Sequence, residues 1–191
     1  MDLDTFYVSV ERLQDNRLLG VPVLLGGVGD RGVVASCSYE ARAFGVHSGM
    51  SMKMARQLCP EGIVVKGESG TYSKYSKMVT EIIREDVPVL EKSSIDEFYL
   101  DLTGMDKFFG CYKLASHIRE RIVKETGLPI SFGMSINKTV SKIATGEAKP
   151  NNQLNIDLGL EKPFLAPLPV GKIPMIGKKT AFMLSRMGVQ K

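Results

Sequence analysis

The chain has 191 residues, with 25 Lys and Arg against 21 Asp and Glu for a net charge of +4. Its 43% hydrophobic and 24% charged content is that of a folded globular protein, which excludes an intrinsically disordered one. No apolar run approaches the ~20 residues that a membrane-spanning helix needs, and the N-terminus does not read as a signal peptide. Cys37, Cys59 and Cys111 are odd in number, far apart and outside metal-ligand spacing, as expected of reduced thiols in a cytoplasmic protein. His47 and His117 are too few and too isolated for a zinc site or a histidine-based triad.

In chain order, the first informative element is the acidic cluster Asp2-Leu3-Asp4, followed by the β-like apolar run Phe6-Tyr7-Val8. Residues 21–26 and 32–38 read as two strands joined by a Gly-Asp-Arg-Gly turn. Residues 39–44 and 52–58 read as short helices, stopped by Gly45 and Pro60. Tyr72, Tyr75, Val79, Ile82 and Ile83 share one helical face; Phe108, Tyr112, Ala115, Ile118 and Ile122 share another, with Gly127 as its stop. Strands at about 87–92, 97–102 and 130–136 alternate with these two helices. The order strand, helix, hairpin, helix, strand fits a split βαβ sheet with helices on one face. Lys149-Pro150-Asn151-Asn152 ends a further helix, and a boundary is expected near 155–161 before the Pro-rich residues 163–169. From Gly171 to Lys191 there are five basic residues and no acidic one. The turn at 173–177 opens a helix at 180–187, and free amides at a helix N-terminus suit a phosphate backbone.

The second acidic cluster, Ser94-Ile95-Asp96-Glu97, precedes the apolar run Phe98-Tyr99-Leu100. Asp2 and Asp4 would share one face of a strand, with Leu3 on the other. Asp96 and Glu97 are adjacent, so they converge on one site only across a tight turn, which Ser93-Ser94 can supply. With the first strand beside that hairpin, three carboxylates meet at one sheet edge. Carboxylates so placed are costly unless neutralised, and the usual solution is a pair of hard divalent cations about 3.5–4 Å apart. A lone D-x-D reads equally well as strand-end acids; the second cluster shifts the balance toward metal chemistry.

Five segments occur together and in order: Asp2-Leu3-Asp4-Thr5-Phe6-Tyr7, Ser38-Tyr39-Glu40-Ala41-Arg42, Ser94-Ile95-Asp96-Glu97-Phe98-Tyr99-Leu100-Asp101, the stretch from Asn137-Lys138 to Lys149-Pro150-Asn151, and the hairpin 173–177. In this the chain resembles the Y-family translesion DNA polymerases, most of all their bacterial DNA polymerase IV branch. The resemblance covers essentially all 191 residues. It implies an α+β fold: a ferredoxin-like (split βαβ) palm at 1–6 and 68–157, a small α/β fingers domain at 7–67, and a partial helical thumb with a helix-hairpin-helix at 158–191. It further implies that the family's little-finger domain is absent from this chain.

Position by position, the resemblance implies that Asp2, Asp96 and Glu97 are the catalytic carboxylates holding two Mg²⁺ ions, with Leu3 adding a backbone carbonyl. It assigns Tyr39 and Arg42 to the incoming triphosphate, with Ser36 as helper, Lys149 reaching the same phosphates and amides of Thr5, Phe6 and Tyr7 completing the cradle. Tyr7 matches a steric gate beneath the sugar. Lys172, Gly177, Lys178 and Lys179 fall where the thumb hairpin meets DNA. The implied partners are primer-template DNA, dNTP and, through the missing C-terminal part, the replication sliding clamp; the implied state is a cytoplasmic monomer. Taken alone, Tyr39 could be a core aromatic, Arg42 a surface charge and Lys149 a helix C-terminal charge. Asp4 and Asp101 read as structural acids. Where Met175 stands the family usually has Gly, and it usually has several strand residues before its first Asp. A palm-type nucleotide cyclase and a non-catalytic nucleic-acid-binding module are the alternatives. The basic hairpin argues against the first, and retention of all three carboxylates against the second.

Overall fold

A computed structural model describes residues 1–107 and 110–191. In chain order the elements are β1 (Asp2–Leu3), α1 (Phe6–Gln14), β2 (Val23–Gly26), β3 (Val34–Cys37), α2 (Tyr39–Ala43), α3 (Met52–Leu58), β4 (Ile63–Val65), α4 (Ser69–Asp86), β5 (Val89–Lys92) and β6 (Phe98–Asp101). There follow α5 (Cys111–Thr126), β7 (Ile130–Met134), α6 (Lys138–Ala148), β8 (Gln153–Asn155), α7 (Glu161–Leu165) and α8 (Lys178–Arg186). The expected strands and helices are present with ends within a few residues. Phe108, expected on the apolar face with Tyr112, lies outside the described residues. Among the described residues no helix is long and apolar enough to cross a membrane.

One expectation fails at the N-terminus. Phe6-Tyr7-Val8 is not a strand but the first turn of α1. Thr5 takes a left-handed conformation (φ 42) that ends β1 after two residues and turns the chain into the helix. The run Phe6, Val8, Ser9, Val10 is buried without period-2 alternation, as a buried helix requires. Asp4 consequently leaves the strand face it was expected to share with Asp2. It is buried, and its backbone N–H donates to the Pro129 carbonyl at 2.8 Å.

The chain divides into two compact units. One comprises residues 3–82 and 122–129. Its sheet has the order β3-β2-β4, with β2 antiparallel to β3 and parallel to β4. The turn between β2 and β3 closes with Gly32 N–H donating to Gly29 O at 2.7 Å. Leu24, Val34, Ala41, Val46, Met52 and the thiols Cys37 and Cys59 form its core, so these cysteines act as small apolar side chains.

The other unit comprises residues 1–2, 83–121 and 130–191. β5 and β6 form the expected hairpin, β7 neighbours β1, and β8 pairs in parallel with β7. An antiparallel bridge between Asp2 and Glu97 joins the hairpin to β1, so the strands run β5-β6-β1-β7-β8. Adjacent residues of β7 face opposite sides of the sheet. Phe132 meets Tyr112 of α5, ring centroids 5.8 Å apart, whereas Gly133 lies against α6. Helices therefore cover both faces at β7, not one as the sequence suggested. Leu154, Ile156, Phe164 and Leu165 pack with Val140 and Ala144 to hold α6 on the sheet.

The close approach of α6 needs a glycine. A Cβ on Gly133 would stand 2.4 Å from Thr145 N, 2.5 Å from the Ala144 Cβ and 2.5 Å from the Ser141 carbonyl. Gly133 N–H donates to Thr145 Oγ1 at 2.7 Å across the same contact. Gly133→Ala should lower stability by about 1–3 kcal/mol, the usual range for overpacking. Urea denaturation checks this: an unchanged midpoint would mean that α6 does not ride directly on β7.

Candidate active site

The acidic clusters meet because β1 and β6 pair. Phe98 N–H donates to the Met1 carbonyl at 2.9 Å, and the Met1 amino group donates to the Phe98 carbonyl at 2.8 Å. The β5–β6 turn is tight, with Ser93 and Ser94 N–H both donating to Glu97 O at 3.0 and 3.3 Å. Asp96 stays in that turn, accepting a hydrogen bond from Ser94 Oγ at 2.6 Å. Among the described residues, no three or more His, Cys, Asp or Glu side chains are gathered closely enough to hold a metal ion. Asp2 and Glu97 are opposite one another, while Asp96 is turned toward Ser94.

Each opposed carboxylate carries an ammonium from the α6 segment. Lys149, just past the end of α6, bonds to Asp2 Oδ1, and Lys142 bonds to Glu97 Oε1. Tyr99 OH also donates to Glu97 Oε1, at 3.1 Å. Burial raises the Asp2 carboxyl above its usual value, against the opposing pull of Lys149, and the charges of Asp96 and Glu97 add to the rise. Burial likewise pushes the Tyr99 phenol up to about 12, with the Glu97 charge reinforcing it. The Met1 amino group is pulled down to about 6, chiefly by burial. The locus is thus half-buried and anionic, with hard oxygen donors only. Hard oxygen donors of this kind suit Mg²⁺, with Asp2 and Glu97 facing one another and Asp96 held by Ser94.

Two cavities open on it. One of about 650 Å³ is lined by Asp2, Glu97, Tyr99, Ser141 and Lys142 among others, and one of about 310 Å³ by Asp2, Lys142, Glu147, Lys149 and Lys172. Lys172 pairs with Glu147 at 2.6 Å. Gly177 caps α8, and Lys178 and Lys179 form its first turn. Met175 adopts φ 70 and is fully exposed, a left-handed conformation that costs a residue with a Cβ more than it costs glycine.

The other unit carries the remaining residues that the sequence singled out. Ser38 caps α2 by accepting from Ala41 N–H at 3.2 Å, which sets Tyr39 and Arg42 on one helical turn. The Arg42 guanidinium lies over the Tyr39 ring, 5.0 Å from its centroid. Ser36 is buried on β3. Thr5 Oγ1 is hydrogen-bonded to Ser9 Oγ at 3.3 Å and makes no side-chain cap, so the amides opening α1 are not sealed by their own N-cap. Tyr7 stands edge-on to Tyr72, centroids 4.8 Å apart, and Tyr72 OH donates to Glu11 Oε1 at 2.5 Å.

Sequence reasoning missed Lys142, Tyr99 and Tyr72. Two of them carried a signal. Lys142 lies seven residues, two helical turns, before Lys149, and Tyr99 lies two residues after Glu97 on the same strand face.

Residues 1–146 match the model of the impB/mucB/samB family. The chain is 43% identical over 191 residues to a DNA polymerase IV of Dehalococcoides mccartyi, covering 99% of this chain and 49% of that protein. It is 41% identical over 190 residues to a DNA polymerase IV of Treponema denticola, covering 99% and 48%. The chain therefore spans about half the length of the curated relatives it matches. Among solved structures it resembles DinB from Sulfolobus solfataricus, with TM-score 0.92, 31% identity and coverage of 100% and 57%. It also resembles an insertion ternary complex of Dbh DNA polymerase, with TM-score 0.91, 31% identity and the same coverages.

The Lys149–Asp2 pair yields a test of the electrostatics. Lys149→Met leaves the Asp2 carboxylate half-buried without its ammonium, at a cost of about 1–3 kcal/mol near neutral pH. A carboxyl whose folded value is raised favours the folded state only when protonated, so that cost is present while Asp2 is charged and fades on acidification. Denaturation at pH 8 and pH 3 should show the difference from wild type at pH 8 and its near disappearance at pH 3. An equal difference at both would mean that the pair is not ionic.

Proposed function

This chain belongs to the impB/mucB/samB family, and from that membership we propose that it carries the catalytic half of a template-directed DNA polymerase acting in translesion synthesis. The observation that carries the reading is the pairing of Asp2 with Glu97 across β1 and β6, with Asp96 in the adjoining turn. Two Mg²⁺ ions held by Asp2, Asp96, Glu97 and the Leu3 carbonyl would supply activation of the primer 3′-hydroxyl and neutralisation of the triphosphate. The protein's own part is positioning. Arg42 offers a fork of donors to the phosphates, the Tyr39 ring supports that guanidinium, and Lys149 adds a point charge. Ser36 and the amides of Thr5, Phe6 and Tyr7 complete the contacts to the nucleotide. Lys172, Gly177, Lys178 and Lys179 serve the DNA backbone at the entrance to α8, where contact is independent of sequence. Palm, fingers and thumb are assigned as the sequence divides them. Primer-template DNA, deoxynucleoside triphosphates and a replication sliding clamp are the partners, and the cytoplasm is the compartment.

In the full-length enzyme, Asp96→Asn or Glu97→Gln should reduce nucleotide incorporation in a primer-extension assay about a thousandfold or more, equivalent to roughly 4 kcal/mol of transition-state stabilisation. The fold should survive both. Glu97→Gln loses its ionic contact with Lys142, so a small destabilisation of about 1 kcal/mol is expected. Near-normal incorporation by either variant would remove the two-metal assignment.

Tyr7→Ala tests the steric gate. The ratio of ribonucleotide to deoxynucleotide incorporation should rise at least about tenfold, or ~1.4 kcal/mol. Because the ring also packs on Tyr72 and Phe6, thermal stability will fall as well. A lower melting temperature with an unchanged sugar ratio would make Tyr7 a packing residue only.

A further inference from the structure

Among the described residues, the Glu97 carboxylate receives two hydrogen bonds on the same oxygen, Oε1, from Tyr99 OH and from Lys142 Nζ. The two donors differ in kind. Lys142 is a point charge on a flexible four-carbon stem and is half-exposed. Tyr99 has a rigid ring on the same strand and the same face as Glu97, two residues on. That ring is fixed from two sides. Its backbone sits opposite Glu91 in the β5–β6 register, and Lys138, paired with Glu91, lies over the ring 5.4 Å from its centroid. The phenol therefore holds one carboxylate oxygen from a side chain that packing has already oriented.

We propose that Tyr99 is a positioning residue of the metal site: its hydroxyl fixes Glu97 through Oε1 and thereby presents Oε2 to a divalent cation. This rests on the reading of Glu97 as a metal ligand. A hydrogen bond to a ligating carboxylate sets its orientation and basicity, and loss of such a partner typically weakens metal affinity 10–100-fold. Tyr99→Phe removes the hydroxyl and keeps the ring, the cross-strand neighbour and the contact with Lys138.

Mn²⁺ titration followed by electron paramagnetic resonance tests this without any turnover. Four proteins are compared: wild type, Tyr99→Phe, Glu97→Gln and the double variant, with circular dichroism establishing that each is folded. Tyr99→Phe should weaken Mn²⁺ binding about tenfold or more. In the Glu97→Gln background the same change should have almost no further effect, because the carboxylate through which it acts is gone. Unchanged affinity in Tyr99→Phe overturns the proposal, and so does an equal loss in both backgrounds. The underlying reading fails separately and visibly: Glu97→Gln would then bind Mn²⁺ as wild type does, or wild type would bind none, and the positioning role would fall with it.

Discussion

The site depends on one backbone pairing, the antiparallel bridge that sets Asp2 opposite Glu97. Like charges on facing strands repel, and half-burial removes the water that would screen them. The fold answers with α6, whose segment supplies Lys142 and Lys149 two turns apart, one for each carboxylate. That answer works only if α6 lies close to the sheet, and it does so because position 133 has no side chain. A glycine in β7 thus governs the charge balance of acids on β1 and β6. The lysine pairs also revise the simplest expectation for bare clustered carboxylates. Removing Glu97's charge does not merely relieve repulsion; it strands an ammonium.

Legibility in the sequence was uneven, for physical reasons. The strands and helices with strong periodicity were readable, as was the hairpin turn that brings Asp96 and Glu97 beside β1. The α1 segment was not. Three apolar residues after an acid satisfy strand and helix patterns alike, and the deciding event, a left-handed Thr5, leaves no mark in composition. The same ambiguity misplaced Asp4. Helices on both faces of β7 were invisible because that depends on which of Phe132 and Gly133 meets which helix. Among the candidate site residues, the meeting of Asp2 with Glu97 was legible, but Asp96 is held by Ser94 and does not gather with them as the sequence suggested. Lys142 and Tyr99 were not singled out, because a lysine on a helix and a tyrosine in a strand are ordinary until their partners are known.

The basic C-terminal segment shows the limit of reading charge from sequence. Lys172 stands in the basic run, yet its ammonium is engaged by Glu147. Lys178 and Lys179 lie in the first turn of a helix, where cations oppose the dipole rather than favour it. Such an arrangement is costly in isolation and useful beside an anion. Met175, held at φ 70 with its side chain wholly in solvent, carries strain at the same turn.

The most direct test of the account is a crystal structure of the protein soaked with Mn²⁺ and a non-hydrolysable deoxynucleoside triphosphate, with manganese located by its anomalous scattering. Two peaks bounded by Asp2, Asp96 and Glu97 are expected. Asp96 should have turned away from Ser94, and Lys149 should have moved from Asp2 to a phosphate. Manganese located elsewhere, with Lys142 and Lys149 still bonded to Glu97 and Asp2, would contradict it.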